Sequence, residues 1–424
     1  MSPASSPSSG RGWTVVTAAL SINLILGVLY AWGVTAKALV VQWHWAATQA
    51  SLPFTVSTAA FALMMIFAGR LQDKFGPRYV AMLGGIILGL GLIGSSFART
   101  PIMMMICFGI VGGIGIGLGY SATTPPSIKW FPASRKGLIT GIVVSGVGLA
   151  AVYMAPLTQY LLKARGISQT FLILGIGTIV LVTLLSQLLS NPPIGYVPKT
   201  APSAKGTIAS KSLPHANLDW NEMLRTPQFY QLWAMFVLAA SAGLMIISQV
   251  AIIAKEQAHW EWGYAPIATL AIFNTVGRVT SGFLSDKIGR SRTMVLAFVL
   301  QGVNMFLFSH YTTPALLVFG SAFTGLCYGT IFTLFPATTA DFYGVKHLGV
   351  NYGFLFTGFG VAGVLGPMLG SRIRDHYHSY SYSYTISAVM LLLGAALAFM
   401  LKAPRTEMAP TAPQPRREPE LVHS

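Results

Sequence analysis

The chain has 424 residues, 53% of them hydrophobic and only 9% charged, with a formal net charge of +16. A soluble domain carries roughly 25% charged residues, so an ordinary soluble globule is excluded. The basic excess sits in short connectors between apolar runs, where Lys and Arg set membrane topology; it therefore does not mark a nucleic-acid partner, whose cations cluster against phosphates.

The first stretch, residues 1–12, is polar and rich in Ser and Pro, and is expected to be a disordered tail without a cleaved signal. Apolar runs then predict twelve transmembrane helices, since about 20 helical residues cross a hydrocarbon core. Six lie near 13–36, 50–69, 79–97, 102–124, 137–162 and 168–190, forming a first half over 13–190. Residues 191–228 are polar and read as a linker. Six more spans follow near 229–254, 263–285, 292–310, 314–340, 349–370 and 380–401, making a second half over 229–401. The tail, 402–424, is rich in Pro, Glu and Arg and is expected to be disordered. Connectors after the even-numbered spans hold Arg70, Lys74, Arg78, Lys129, Arg135, Lys136, Lys287, Arg290 and Arg292, which puts them and both termini in the cytoplasm. The fold class is thus an all-α polytopic membrane protein embedded in a lipid bilayer. Cys107 and Cys327 fall in apolar segments without metal-ligand spacing, and no cofactor motif is present. Trp43, Trp45, Trp260 and Trp262 read as interfacial belt.

The two halves repeat each other. "GRLQDKFGPR" (69–78) follows span 2 and "GFLSDKIGRSR" (282–292) follows span 8, with Asp73 and Asp286 at matching places, 213 residues apart. In each loop the first glycine, Gly69 or Gly282, lets helices approach. The later glycine, Gly76 or Gly289, turns the chain. Each aspartate is placed to meet a helix N-terminus or an arginine. Parallel repeats of this kind set a substrate site between the halves near mid-membrane.

This pair of loops resembles the signature of the major facilitator superfamily, over residues 13–401. "KWFPASRKGLITG" (129–141), "EMLRTPQFYQLW" (222–233) and "FPATTADFYG" (335–344) narrow the resemblance to the oxalate–formate antiporter family, near bacterial monocarboxylate transporters. It implies two six-helix halves, small carboxylate substrates such as L-lactate, pyruvate or acetate, and a bacterial inner membrane.

Arg278 lies within span 8, where a charge costs at least about 2.5–3.5 kcal/mol and normally faces a protein interior or wet cavity. All eleven Asp and Glu fall in loops, helix ends or tails, so the transported carboxylate is the natural counter-ion. A structural ion pair is the competing reading. Asn274, four residues earlier, shares the helix face of Arg278 and is a candidate donor to substrate. By resemblance, Tyr30 and Tyr120 match cavity-lining positions of the oxalate transporter. Phe332 stands where that relative has a tyrosine, and Tyr328 lies one turn before it.

Oxalate transporters of the family carry a lysine in span 11, and the matching position here is Phe359. One cation beside an apolar wall fits a monoanion rather than a dianion. Animal relatives have an aspartate where Asn274 stands, so the family's proton site is missing. His44, His310, His376 and His378 titrate near neutrality but sit at helix ends. The reading is proton-coupled monocarboxylate symport, with carboxylate exchange as the alternative. An intramembrane enzyme would need a catalytic constellation within the spans, and neither HExxH nor a mid-helix histidine occurs.

Overall fold

The computed structural model describes residues 9–193, 195, 196, 198, 217–260 and 264–404. Of the tails expected at 1–12 and 402–424, residues 1–8 and 405–424 lie outside the described residues, as do most of the linker and Trp262, whereas residues 9–12 are helical instead of disordered. The first span is α1 (Ser9–Leu26), a 3-10 turn (Gly27–Ala31) and α2 (Trp32–Trp43). Next come α3 (Ala47–Phe75) and α4 (Pro77–Phe97). The fourth span is composite: α5 (Pro101–Met104), a π-helical stretch (Met105–Gly112), α6 (Gly113–Ser121) and α7 (Thr124–Lys129). Helix α8 (Lys136–Ser186) is broken at Gly166, with φ of 74°, which divides it into the fifth and sixth spans. A short α9 (Trp220–Leu224) ends the linker. The second set is α10 (Pro227–Ala258), α11 (Tyr264–Ile288), α12 (Arg290–Phe308), α13 (Pro314–Tyr343), α14 (Leu348–Tyr377) and α15 (Ser381–Met400).

The architecture is the all-α one expected, but most helices outrun their apolar windows. Helix α3, for example, continues through Arg70, Gln72, Asp73 and Lys74, because helix formation does not stop where charge begins. Trp45, in the connector after α2, is buried against Trp43.

The two sets of helices meet where α3 packs on α14 and where α8 packs on α11. The α3–α14 contact is tightest on the linker side, where the chain passes from α8 to α9, and the α8–α11 contact stays equally close from there to Arg278. A Cβ on Gly69 would collide with the Gly349 backbone, and one on Gly282 with the Gly137 backbone. Farther along α14 the approach relaxes, so that a Cβ on Gly363 would merely touch Thr58 at 3.6 Å. The matched glycines after each aspartate, Gly76 and Gly289, take φ of 86° and 94°, a region open to glycine.

Each aspartate caps a helix of the opposite half. Asp286 accepts N–H bonds from Gly137 (2.9 Å) and Leu138 (2.8 Å) at the start of α8, and Asp73 accepts one from Val350 (3.1 Å) at the start of α14. A carboxylate there meets unpaired amides and the positive end of the helix dipole. Arg290 pairs with Asp286 at 2.7 Å and Asp341 at 2.9 Å, and Lys136 joins Asp341 at 3.1 Å, tying α8 to α11, α12 and α13. The linker's end is held too. Trp220 stacks on Phe354 of α14 at 5.5 Å and carries the Arg70 guanidinium of α3 over its ring at 5.5 Å.

Candidate functional site

Arg278 sits in the middle of α11, only 1% exposed, at the α8–α11 crossing. The crossing is close because Gly141 faces it: a Cβ there would collide with the Arg278 carbonyl. That approach brings a backbone acceptor within reach. Arg278 Nη1 donates to the Val144 carbonyl at 2.5 Å, and Nε donates to Asn274 Oδ1 at 2.9 Å. The guanidinium carbon stands 4.5 Å from the Phe332 ring centroid, a cation–π arrangement. Nη2 has no protein partner, and among the described residues no carboxylate lies within ion-pair distance.

Asn274 therefore differs in geometry from a free donor to substrate. Its carbonyl oxygen is occupied in orienting the arginine, which leaves the amide N–H groups for another acceptor. Phe332 packs edge-on against Tyr328 (5.2 Å) and Phe359 (5.4 Å). Phe359 continues to Phe356 (5.1 Å), which touches Tyr120 (5.8 Å), and Phe61 closes on both Tyr120 and Phe356. The sequence-derived residues Arg278, Asn274, Phe332, Tyr328, Phe359 and Tyr120 thus form one connected group. Tyr30 occupies the 3-10 turn of the first span and is 37% exposed.

Sequence reasoning missed Phe61, Phe356 and the Val144 carbonyl. Phe356 lies in the same "FLFTGF" stretch as Phe359, one turn earlier, and that spacing was the available signal. Nothing in a sequence announces a backbone acceptor from another helix. The four histidines singled out in the sequence stay away from this group: His44 and His378 are C-caps of α2 and α14, His376 is in the last turn of α14, and His310 follows α12. Among the described residues no group of three or more His, Cys, Asp or Glu is placed to hold a metal.

Chemically, the group offers one permanent cation with an unpartnered Nη2, one amide, and an aromatic wall. It can hold a single anionic oxygen pair against an apolar surface.

Comparison with known proteins agrees with this architecture. The family model described as Major Facilitator Superfamily matches residues 11–301 and 266–423. The oxalate:formate antiporter of Oxalobacter formigenes is 28% identical over 399 residues, covering 92% of this chain and 90% of that protein. Monocarboxylate transporter 13 of Rattus norvegicus is 26% identical over 402 residues, covering 93% and 90%. Among solved structures, the proton:xylose symporter XylE, bound to 6-bromo-6-deoxy-D-glucose, superposes with a TM-score of 0.70 at 14% identity, over 92% of this chain and 96% of that one. A doubled set of six helices, with matching aspartate loops at the same place in each set, is the physical counterpart of these matches, and the chain belongs to the Major Facilitator Superfamily.

Proposed function

We propose that this transporter carries small monocarboxylates, L-lactate and also pyruvate or acetate, in symport with protons across a bacterial inner membrane. The carboxylate binds Arg278, with Asn274, Tyr30, Tyr120, Tyr328, Phe332 and Phe359 as its surroundings. The observation that carries the reading is the guanidinium itself. It is buried, oriented by two neutral acceptors, and has an unpartnered Nη2. A carboxylate accepts two parallel hydrogen bonds from such a group and cancels its charge. Binding then lowers the electrostatic cost of occluding the site, which favours rocking of one half against the other. Phe359 and Phe332 leave no second cation, in keeping with a monoanion carrying a small alkyl end.

The names of two relatives, an oxalate:formate antiporter and a monocarboxylate transporter, support a small organic anion as cargo. The basic connectors support a cytoplasmic linker side and cytoplasmic termini. Carboxylate exchange is the second reading. It is favoured by the likeness to an antiporter and by Asn274, which cannot titrate.

The test is uptake of radiolabelled L-lactate into proteoliposomes by the wild type and by Arg278→Ala. Losing a charge-assisted bidentate contact should weaken transport about 100-fold, at about 1.5–3 kcal/mol for each hydrogen bond to a charged group. Uptake by Arg278→Ala equal to that of the wild type removes the proposed site.

A further inference from the structure

Beyond the aromatic group, on the linker side of Tyr120, lies a small cavity between the halves. Met65 of α3, Tyr120 of α6, Thr124 of α7, Pro336 of α13, and Gly349 and Tyr352 of α14 form its wall. It has room for about one water molecule. Three hydroxyls in this wall lack a hydrogen bond of good geometry: those of Tyr120 and Tyr352, which approach each other without meeting that geometry, and that of Thr124; the residues are 4%, 5% and 4% exposed. Leaving a buried hydroxyl unpaired costs about 1–3 kcal/mol, so three in one cavity call for a reason.

Their position supplies one. Gly349 is at once part of the cavity wall and the residue whose backbone abuts Gly69 at the tightest contact between the halves. The cavity therefore lies directly behind the linker-side seal. In the other direction Tyr120 touches Phe356, and the aromatic chain leads through Phe359 and Phe332 to Arg278. Seal, hydroxyl cavity and arginine are in series. Tyr120 and Thr124 belong to the first half and Tyr352 to the second, so rocking that parts α3 from α14 widens this space and turns its hydroxyls toward the linker-side compartment.

We propose that Tyr352 and Thr124, together with the Tyr120 hydroxyl, form a second carboxylate subsite, a waypoint between the linker-side opening and Arg278. Three neutral O–H donors replace water around the carboxylate one bond at a time, without a fixed cation to trap it. The charge that draws the anion onward is Arg278, at the far end of the aromatic chain that starts at Tyr120. This inference rests on the carboxylate reading above and adds a sidedness to it.

The experiment measures KM for L-lactate, pyruvate and acetate in right-side-out and inside-out membrane vesicles bearing the full chain. It compares wild type with Tyr352→Phe, Thr124→Val and the double variant. Loss of hydrogen bonds to a charged group should raise KM from the linker side about tenfold, with a shift of less than about twofold from the opposite side. Removing hydroxyls that form no hydrogen bond of good geometry in the protein should leave the melting temperature unchanged or higher. Equal KM shifts on both sides, no shift, or a lowered melting temperature with unchanged KM overturns the subsite. If the wild type moves none of the three acids, the carboxylate reading fails and the subsite falls with it. If the wild type transports and the variants match it on both sides, only the subsite falls.

Discussion

Arg278 shows how a charge is kept in a membrane interior. Two neutral acceptors, Asn274 Oδ1 and the Val144 carbonyl, offset part of its desolvation while leaving its charge uncancelled, and Phe332 covers one face. An aspartate at position 274 would neutralise the guanidinium and compete with any incoming anion; an amide orients it without doing so. On the proposed monocarboxylate reading, the aromatic wall sets the charge count of the cargo. Phe359, in contact with Phe332, holds an apolar ring where a second cation for a dianion would be needed on that reading. Replacing it by Phe359→Lys supplies a second cation, and inhibition of L-lactate uptake by oxalate should then tighten about tenfold, a gain of the size expected for one charge-assisted hydrogen bond. Unaltered inhibition by oxalate would count against Phe359 as the selectivity position. The sequence exposed this residue logic because an arginine in an apolar run without an acid is conspicuous. The Val144 carbonyl was not legible, since every residue has one and only tertiary packing selects which of them meets a guanidinium.

At the scale of helices, closure on the linker side combines glycine contacts with carboxylate caps. The α3–α14 crossing at Gly69 and Gly349 has no room for a methyl group, and Asp73 and Asp286 each hold the start of a helix from the other half. A Gly349→Val change forces the two backbones apart, and overpacking of this kind costs about 1–3 kcal/mol. Because the strain exists only in the closed arrangement, it shifts the equilibrium toward linker-side opening by about tenfold or more. The check is labelling of a Thr124→Cys reporter in a Cys107→Ser/Cys327→Ser background by an impermeant maleimide added from the linker side. The Gly349→Val protein should react faster, and an unchanged rate contradicts the closing role of this crossing. Gly69, Gly76, Gly282 and Gly289 were legible as repeat positions, and they take the approach and turn roles that their spacing implied. Their partners on α14 and α8, Gly349 and Gly137, were not, because nothing in a single glycine tells which distant helix will face it.

For the molecule as a whole, coupling is a property of the cycle. On the symport reading, an inward proton gradient imposed on proteoliposomes raises the initial rate of L-lactate uptake several-fold, and a protonophore abolishes the rise. Uptake indifferent to the gradient but stimulated by internal lactate selects exchange instead. The sequence by itself determined the class, twelve apolar helices in two repeats with a buried cation. Bilayer thickness, backbone hydrogen bonding and the cost of charge in hydrocarbon act on composition and spacing along the chain. Only the tertiary structure decided what that cation touches, which aromatic rings join it, where the halves seal, and that three hydroxyls from both halves, without a hydrogen bond of good geometry, share one cavity behind the seal. These are meetings of residues far apart in sequence. Their distances follow from how helices cross, and no local pattern encodes a crossing.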